Sequence, residues 1–479
     1  MKIELHRERI TIFVSLIAAT LFGAYLRLRN ITEDSLWLDE LFSVAVSQPD
    51  NSFSYVFQRT LNDVHPPFFQ IVLWGFYKVF GFGEMAGRYL SAAFGIMLIP
   101  AMFILGRQTF DVRVGLYAAW LAAINFYLIV YSQEIRSYEL LVLLTTVSFV
   151  AFVRVMRTLH GVDMFVYSVV AAMLVSTHYF GFLVVLAQAL LVLIGVFELP
   201  WDRRRLYRFG LAGLFILLCL SPQLSYVISN LHRKDFWVPA PSDSFFVDLF
   251  VLYFGNQSLA VLAAALLIVV VTKGLRGNGA AVGLNVLGVW VVVCIAVPYL
   301  RSIYVQPVLT MRNLIILLPA VLVLMGFGVS LFKGRWARIG VGLLIVSFSM
   351  TPLFTQFKPV PTEANQLKPI SQIRDVLEEL IKKPEPWPVY SSQFLEFGVY
   401  LKLLGSSSIV KSHDQLVCDL VSDERPAKFY YLFRNGAIPP NEDFMTKYGV
   451  RLLEEKRIGD SAILKFQSLA LPIDPPPHS

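Results

Sequence analysis

The sequence is poor in charge and in cysteine. Lysine, arginine, aspartate and glutamate make up only 16% of the 479 residues, whereas a soluble domain carries about 25%. With 56% hydrophobic residues and a mean hydropathy of +0.61, the chain is not an ordinary soluble protein. Among the three cysteines, Cys219 and Cys294 lie in apolar runs and Cys418 stands alone. This distribution excludes a disulfide framework and a cysteine-based zinc site.

The sequence also lacks an internal repeat, a low-complexity segment and a continuous basic surface. Its net charge of +7 comes from short basic clusters that alternate with apolar runs. That pattern is typical of cytoplasmic membrane loops and not of a nucleic-acid-binding face, so no nucleic-acid partner is expected. The first apolar run follows Lys2, Arg7 and Arg9 without a clear cleavage site. We therefore expect it to be retained as a helix rather than removed as a signal peptide.

Apolar runs long enough to cross a bilayer recur along the first 355 residues. A spanning helix needs about 20 mostly apolar residues. The runs that meet this requirement are 10–29, 88–107, 112–131, 137–156, 162–180, 182–199, 208–228, 247–271, 281–300, 312–332 and 337–354. The sequence therefore predicts an α-helical polytopic membrane protein with about eleven transmembrane helices.

One further apolar run, residues 66–82, is ambiguous because it is short, begins with two prolines and contains Lys78. Short basic loops belong in the cytoplasm, so loop charge can decide whether this run spans. The basic clusters are Lys2/Arg7/Arg9, Arg107/Arg113, Arg154/Arg157, Arg203/Arg204/Arg205/Arg208, Lys273/Arg276 and Lys333/Arg335/Arg338. All of them fall on the inside if 66–82 does not span. We therefore expect 66–82 to be a juxtamembrane helix, the N-terminus to be cytoplasmic, and the loop 30–87 to be extracytoplasmic.

The composition changes after residue 355, where a proline-rich linker leads into a more polar tail. Apolar residues at helical spacing predict a helix over 370–382. Short strand-like runs follow at 387–391, 408–411, 428–433 and 461–466. We therefore expect a transmembrane domain over 1–355 and a small extracytoplasmic α/β domain over 356–479.

The loop 30–87 contains an acidic pair, Asp39 and Glu40, just after Trp37. Acids held against a bilayer are costly to keep there, which makes the pair a candidate general base for an acceptor hydroxyl. A solvated loop acid or a helix cap is the alternative role. Adjacent residues at a helix start point about 100° apart, so we expect one acid to be the base and the other to hold it.

Further polar candidates fall on the outer side under this topology. His65 precedes Pro66-Pro67, a good helix start, which predicts an N-cap-like position facing polar space. There it can bind a phosphate, a sugar hydroxyl or a metal, or it can be structural. The other candidate site residues on this side are Glu134, Arg136 and Tyr138 in a turn between two spans, and His178 at a helix end. The alternative for the turn is a charge pair that ends two helices.

Basic residues on the outer side run against the positive-inside trend. Arginine binds phosphate bidentately, so each of these cations is a candidate phosphate ligand; snorkelling to lipid headgroups is the alternative. The candidates are Lys234, Arg301 and Arg312. Arg312 ranks first because it opens an apolar helix. No dense set of metal-ligating side chains is visible, so no metal or other cofactor is expected.

Several motifs together resemble the GT-C membrane glycosyltransferases, in particular the bacterial relatives of the dolichyl-phosphate-mannose protein mannosyltransferases and the aminoarabinose transferases. The matching pieces are SLWLDE (35–40), DVHPPFFQIVLW (63–74), FGEMAGRYLSAAFG (82–95), LGRQTFDVRVGLYAAWL (105–121), NFYLIVYSQEIRSYELL (125–141) and RNLIILLPAVLVL (312–324). The resemblance implies that Asp39 supplies the catalytic base, with Glu40 beside it. The family's Arg-Tyr or Arg-Phe pair before the late helix is Arg312-Asn313 here.

The resemblance implies a hexose or pentose donor linked to polyprenyl phosphate or pyrophosphate, with its tail among the membrane lipids. The acceptor is a hydroxyl of a glycan, lipid or protein. Asp39 would take the acceptor proton while the lipid phosphate leaves beside Arg312, and direct displacement would invert the anomeric centre. Such an enzyme is a multi-pass protein of the inner (plasma) membrane. The alternatives are a lipid-linked sugar flippase or transporter, and a non-catalytic subunit of cell-envelope polysaccharide assembly.

Overall fold

The chain divides into two compact units. The computed structural model describes residues 2–61, 63, 65–197, 203–230, 238–274, 280–355, 372–382, 385–434, 437, 439–459 and 461–469. The first unit contains Met1–Ile31, Val46–Gly81 and Ala86–Leu367, and the second contains Thr32–Ala45, Phe82–Met85 and Lys368–Ser479. The second unit thus combines two short pieces of the loop 30–87 with the C-terminal tail.

The described part of the chain up to residue 355 is helical. Its α-helices are α1 (Lys2–Leu28), α2 (Leu38–Val46), α3 (Phe53–Leu61), α4 (Phe68–Phe80), α5 (Glu84–Thr109), α6 (Val112–Ile124), α7 (Phe126–Ser132), α8 (Tyr138–Thr158), α9 (Gly161–Val175), α10 (Gly181–Leu193), α11 (Arg203–Leu220), α12 (Leu224–Asn230), α13 (Phe245–Phe254), α14 (Gln257–Lys273), α15 (Ala281–Tyr304), α16 (Leu318–Ser330) and α17 (Arg335–Thr355). Short 3₁₀ helices occur at Ser221–Gln223 and Asn313–Leu317.

The described helices fit a multi-span membrane protein. Seven are long and apolar enough to cross a membrane, and up to nine spans result if two bent pairs are each one span. The pairs are α6 with α7, bent by 58°, and α13 with α14, bent by 104°. Helices α9 and α10 are apolar but shorter. These helices and pairs coincide with the eleven predicted runs, so the helical membrane class is confirmed while the number of crossings stays a prediction.

The ambiguous run 66–82 forms one helix of 13 residues, α4. At 1.5 Å per residue it is roughly 20 Å long, too short for a hydrocarbon core of about 30 Å. Because α10 also has 13 residues, length alone does not separate a juxtamembrane helix from a span, and the juxtamembrane interpretation stays a prediction. The N-cap position predicted for His65 was wrong, because the N-cap residue of α4 is Pro67. A proline disfavours the helical conformation of the residue before it, so the helix begins only beyond Pro66.

Small residues and stacked rings pack the helices of the first unit. A Cβ added to Gly115 of α6 would lie 2.5 Å from the carbonyl oxygen of Phe103 in α5, and one added to Gly106 would lie 2.9 Å from the Cα of Gly115. Glycine is a usual device for such close crossings in membranes. The rings of Phe149 and Trp290 stack with centroids 3.8 Å apart and join α8 to α15. These contacts hold α5 against α6 and α8 against α15.

The tail forms a small α/β domain inside the second unit. Its elements are α18 (Ile373–Lys382), β1 (Val389–Ser391), α19 (Phe394–Leu403), β2 (Val410–Ser412), α20 (His413–Val421), β3 (Lys428–Arg434), α21 (Glu442–Lys447), β4 (Val450–Ile458) and β5 (Ser461–Ser468). The strand order is β2-β1-β3-β5-β4. β1 runs parallel to β2 and β3, and β5 runs antiparallel to β3 and β4. Buried rings of Tyr390, Phe429, Tyr431 and Phe466 belong to its core.

The sequence anticipated most of this domain. The helix expected over 370–382 is confirmed as α18, although residues 370 and 371 lie outside the described part of the chain. The four strand-like runs overlap β1, β2, β3 and β5. Helices α19, α20 and α21 and strand β4 were not predicted. β4 is an edge strand whose side chains are mostly exposed, so it lacks the apolar alternation that identifies a strand.

Candidate functional site

The acidic pair lies in the first turn of α2, within the second unit. Glu40 is fully buried, and its Oε2 accepts a hydrogen bond of 3.2 Å from the backbone N–H of Trp37, just before the helix. This is the capping-box arrangement, in which the third helical residue reaches back to the N-cap amide. Asp39 is half-buried. Glu40 therefore fills the helix-cap role, and Asp39 is the more exposed acid of the pair.

A separate cluster of aromatic and imidazole rings lies in the first unit. The ring centroids of His65 and His178 are 4.7 Å apart, and each is 6.0 Å from the ring of Tyr138. A backbone hydrogen bond of 3.0 Å from Phe68 to Ser176 ties together the two loops that carry the histidines. The structure thus brings together three candidates that are far apart in the sequence.

Two arginines add positive charge to this cluster. Arg136 is buried, and its backbone N–H donates to the carbonyl oxygen of Glu134 at 2.8 Å in the tight turn between α7 and α8. Arg312 is half-buried at the start of the 3₁₀ helix Asn313–Leu317. The charges of both arginines act on His65, and that of Arg136 also acts on His178. The cluster is therefore a buried cationic site bordered by rings.

Both histidines are neutral at pH 7. Burial, followed by the charge of Arg136, holds the pKa of His65 well below its usual range. Burial and then Arg136 lower the pKa of His178 to about 3. Nδ1 of His178 accepts a hydrogen bond of 3.1 Å from the backbone N–H of Phe180. Among the described residues, nothing pairs with the buried Nδ1 of His65, so a ligand can use it.

These pKa values predict a stability that falls with falling pH. Below about pH 6.5 a histidine in the unfolded chain takes up a proton, whereas His65 and His178 in the fold do not. The free energy of unfolding should therefore fall as pH drops below 6.5, by about 2 kcal/mol per histidine at pH 5. Thermal unfolding in detergent between pH 8 and pH 5 measures this effect. A variant carrying His65→Gln and His178→Gln should show a flatter profile, and an unchanged profile would contradict the assignment.

Tyrosines of α7 and α13 hold the segment that carries Arg312. The hydroxyl of Tyr127 donates to the carbonyl oxygen of Met311 at 3.0 Å, and that of Tyr253 donates to the carbonyl oxygen of Leu314 at 2.5 Å. The ring of Tyr131 lies between those of Tyr127 and Tyr138, with centroids 4.7 and 5.1 Å away. Of these tyrosines only Tyr138 was a sequence candidate, because the others look like ordinary aromatic residues of apolar helices.

The remaining candidates are placed differently. Glu134 is buried, and its charge reaches the Tyr131 hydroxyl at the edge of the cluster. Arg301 lies in the last turn of α15 and is not among the charges that act on His65. Lys234 lies outside the described residues. The structure therefore joins His65, Arg136, Tyr138, His178 and Arg312, with Glu134 beside them.

A buried arginine and a buried glutamate within two predicted spans were not among the sequence candidates. Arg27 of α1 is fully buried and donates to the carbonyl oxygens of Ala122 and Ala123 at 3.0 and 3.2 Å. A Cβ added to Gly95 would lie 2.6 Å from Nε of Arg27 and 2.9 Å from Oε1 of Glu139, which is also fully buried. Ionisable residues inside membrane spans are rare and usually functional. The position of these two residues inside predicted spans could therefore have identified them from the sequence.

The comparison with known proteins identifies the fold. Residues 64–226, about a third of the chain, match the family model of the dolichyl-phosphate-mannose-protein mannosyltransferases. The structure of ArnT from Cupriavidus metallidurans bound to undecaprenyl phosphate superposes with a TM-score of 0.63 at 13% sequence identity, over 95% of this chain and 97% of that one. The chain has the GT-C fold. The predicted resemblance to GT-C membrane glycosyltransferases is confirmed.

Other structures agree with the GT-C assignment. The oligosaccharyltransferase AglB from Archaeoglobus fulgidus, in complex with an inhibitory peptide and a dolichol-phosphate, superposes with a TM-score of 0.52 at 12% identity. The superposition covers 85% of this GT-C chain and 65% of AglB. No curated protein matches the chain by sequence. The fold thus relates the chain to proteins whose sequences have diverged widely from it.

Proposed function

We propose that this protein is an integral-membrane glycosyltransferase that moves a sugar from a polyprenyl-phosphate-linked donor to an acceptor hydroxyl. The reaction would take place on the extracytoplasmic face of the inner membrane, and the C-terminal domain would lie on the same face. The observation that best supports the proposal is the buried cationic cluster around His65, Arg136 and Arg312 in a chain with the GT-C fold. Lipid phosphates occupy solved structures of that fold, undecaprenyl phosphate in ArnT and dolichol-phosphate in AglB.

The chemistry of the cluster suits the phosphate of such a donor. Arg136 and Arg312 can form charge-assisted hydrogen bonds with phosphate oxygens. The neutral histidines can donate or accept single hydrogen bonds without adding charge. As the sugar–phosphate bond breaks, negative charge grows on the leaving oxygen, and fixed cations in a water-poor site stabilise it. We assign Arg312 and Arg136 to the leaving phosphate.

We assign the proton transfer of the proposed reaction to the acidic pair. The acceptor hydroxyl loses its proton to the Asp39 carboxylate while its oxygen forms a bond to the anomeric carbon. The bond from that carbon to the phosphate oxygen breaks, and its electron pair leaves with the lipid phosphate. Direct displacement from the opposite face inverts the anomeric centre. Glu40 keeps the first turn of α2 in place through its hydrogen bond to Trp37.

Deletion of the gene, followed by mass spectrometry of envelope glycans and lipids, tests this function in cells. We expect one sugar substituent to disappear and its polyprenyl-linked donor to accumulate. Complementation with the wild type or with Asp50→Asn, an exposed acid of the same loop, should restore the substituent, and Asp39→Asn should not. A flippase needs no general base, so restoration by Asp39→Asn would contradict the proposal and favour the transporter alternative.

A further inference from the structure

The segment that leads into α2 is irregular yet firmly held. Residues 32–37 form neither helix nor strand, although Ser35, Leu36 and Trp37 are buried. Buried backbone groups outside regular structure need other hydrogen-bond partners. Several groups of this segment find partners in the C-terminal domain, which belongs to the same compact unit.

Arg374 of α18 binds the beginning of the segment. Its Nη1 donates to the carbonyl oxygen of Thr32 and its Nη2 to that of Glu33, both at 2.8 Å. Its backbone N–H donates to Oγ of Ser35 at 3.3 Å. One guanidinium thus bridges two successive carbonyl groups, which the flexible single-point ammonium of lysine cannot reproduce.

Tyr400 of α19 binds the end of the segment. Its hydroxyl accepts a hydrogen bond of 3.0 Å from the backbone N–H of Leu36 and donates one of 2.9 Å to Oε2 of Glu84. Oε1 of the same carboxylate lies 3.5 Å from Nη1 of Arg374. Burial and Glu84 raise the pKa of Tyr400, so its hydroxyl stays protonated. Glu84 therefore joins the two contacts into one network.

This network ends immediately before the acidic pair. Leu36 precedes Trp37, whose amide is capped by Glu40, and Asp39 lies in the same helical turn. We propose that Arg374 and Tyr400 are positioning residues, through which the C-terminal domain aims the carboxylate of Asp39. The proposal rests on the proposed role of Asp39 as base. It gives the C-terminal domain a part in turnover, although it contributes no reacting group.

The test uses the full-length protein and the single-atom variant Tyr400→Phe. A small displacement of a catalytic group lowers turnover strongly, so we expect kcat to fall about tenfold to a hundredfold while KM for the donor stays unchanged. Arg374→Lys should have the same effect. The matched control is Tyr430→Phe, which removes the hydroxyl that a buried tyrosine of the same domain donates to Glu385 at 3.0 Å. The control should keep wild-type turnover.

Hydrogen–deuterium exchange separates this proposal from the proposed function. Amides of residues 32–45 should exchange faster in Tyr400→Phe than in the wild type or the control, with unchanged protection of β3 and β5. Faster exchange and normal turnover in Tyr400→Phe would overturn the positioning role. Faster exchange and reduced turnover, with an active Asp39→Asn, would show that the network supports turnover but would overturn both the assignment of Asp39 as the base and the statement that the network aims it. Unchanged exchange and turnover in Tyr400→Phe would overturn the network itself.

Discussion

Asp39→Asn should lower turnover by the roughly 10²–10⁴-fold that the loss of a general base produces. Asparagine keeps the size and hydrogen bonding of the side chain but cannot take the acceptor proton. Because the donor phosphate is assigned to Arg136 and Arg312, donor binding should stay nearly unchanged. Initial rates at saturating donor, with donor affinity measured separately, test both parts.

Glu40→Gln is the comparison that assigns the roles within the pair. Glutamine at position 40 retains an oxygen that can accept from the Trp37 amide, so the cap on α2 should survive. Its effect on turnover should therefore be much smaller than that of Asp39→Asn. If Glu40→Gln is inactive while Asp39→Asn retains most of its turnover, Glu40 is the base and the roles are exchanged.

Arg312→Ala should weaken binding of the donor about tenfold to a hundredfold. A charge-assisted phosphate contact is worth about 1.5–3 kcal/mol, and each 1.4 kcal/mol corresponds to a factor of about ten. Acceptor affinity should not change, since Arg312 is assigned to the phosphate of the donor. Equilibrium binding of a polyprenyl-phosphate sugar, compared with acceptor KM, measures the difference.

Two further variants test whether the loss of donor affinity in Arg312→Ala comes from a bidentate phosphate contact at this position. Arg312→Lys keeps the charge but loses bidentate geometry, so its donor affinity should lie between those of the wild type and Arg312→Ala. The control Arg113→Ala removes an exposed arginine in the first turn of α6. The backbone N–H of this residue, which donates to the N-cap residue Asp111, is kept. Neither donor affinity nor acceptor affinity should change. A loss of acceptor affinity without loss of donor affinity in Arg312→Ala would show that Arg312 has been misassigned.

The sequence was informative where local chemistry decides the structure. Apolar runs of membrane length predicted the helices, because only segments that satisfy their own backbone can lie in lipid. The acidic pair was found because a carboxylate next to a bilayer is unusual. Helix geometry predicted that the two acids have different roles. The hydrogen bond from the Trp37 amide to Glu40 is consistent with different roles for the two acids.

The sequence could not show contacts between distant residues. His65 and His178 were singled out separately, but nothing in the chain indicates that their rings lie 4.7 Å apart. The contact between Arg374 and Thr32 joins residues 342 positions apart. Such contacts depend on how the helices pack, and no local pattern of apolar or charged residues encodes them. For the same reason, the sequence could not predict that residues 32–45 belong to the same compact unit as the C-terminal domain.

The most direct measurement places the purified protein in liposomes with a polyprenyl-phosphate sugar and an extract that contains the acceptor. Released polyprenyl phosphate and sugar on the acceptor are then counted in the same sample. We expect equal amounts of the two products with the wild type and almost none with Asp39→Asn. Donor that crosses the bilayer without being consumed, or equal release by wild type and Asp39→Asn, would contradict the proposed glycosyl transfer.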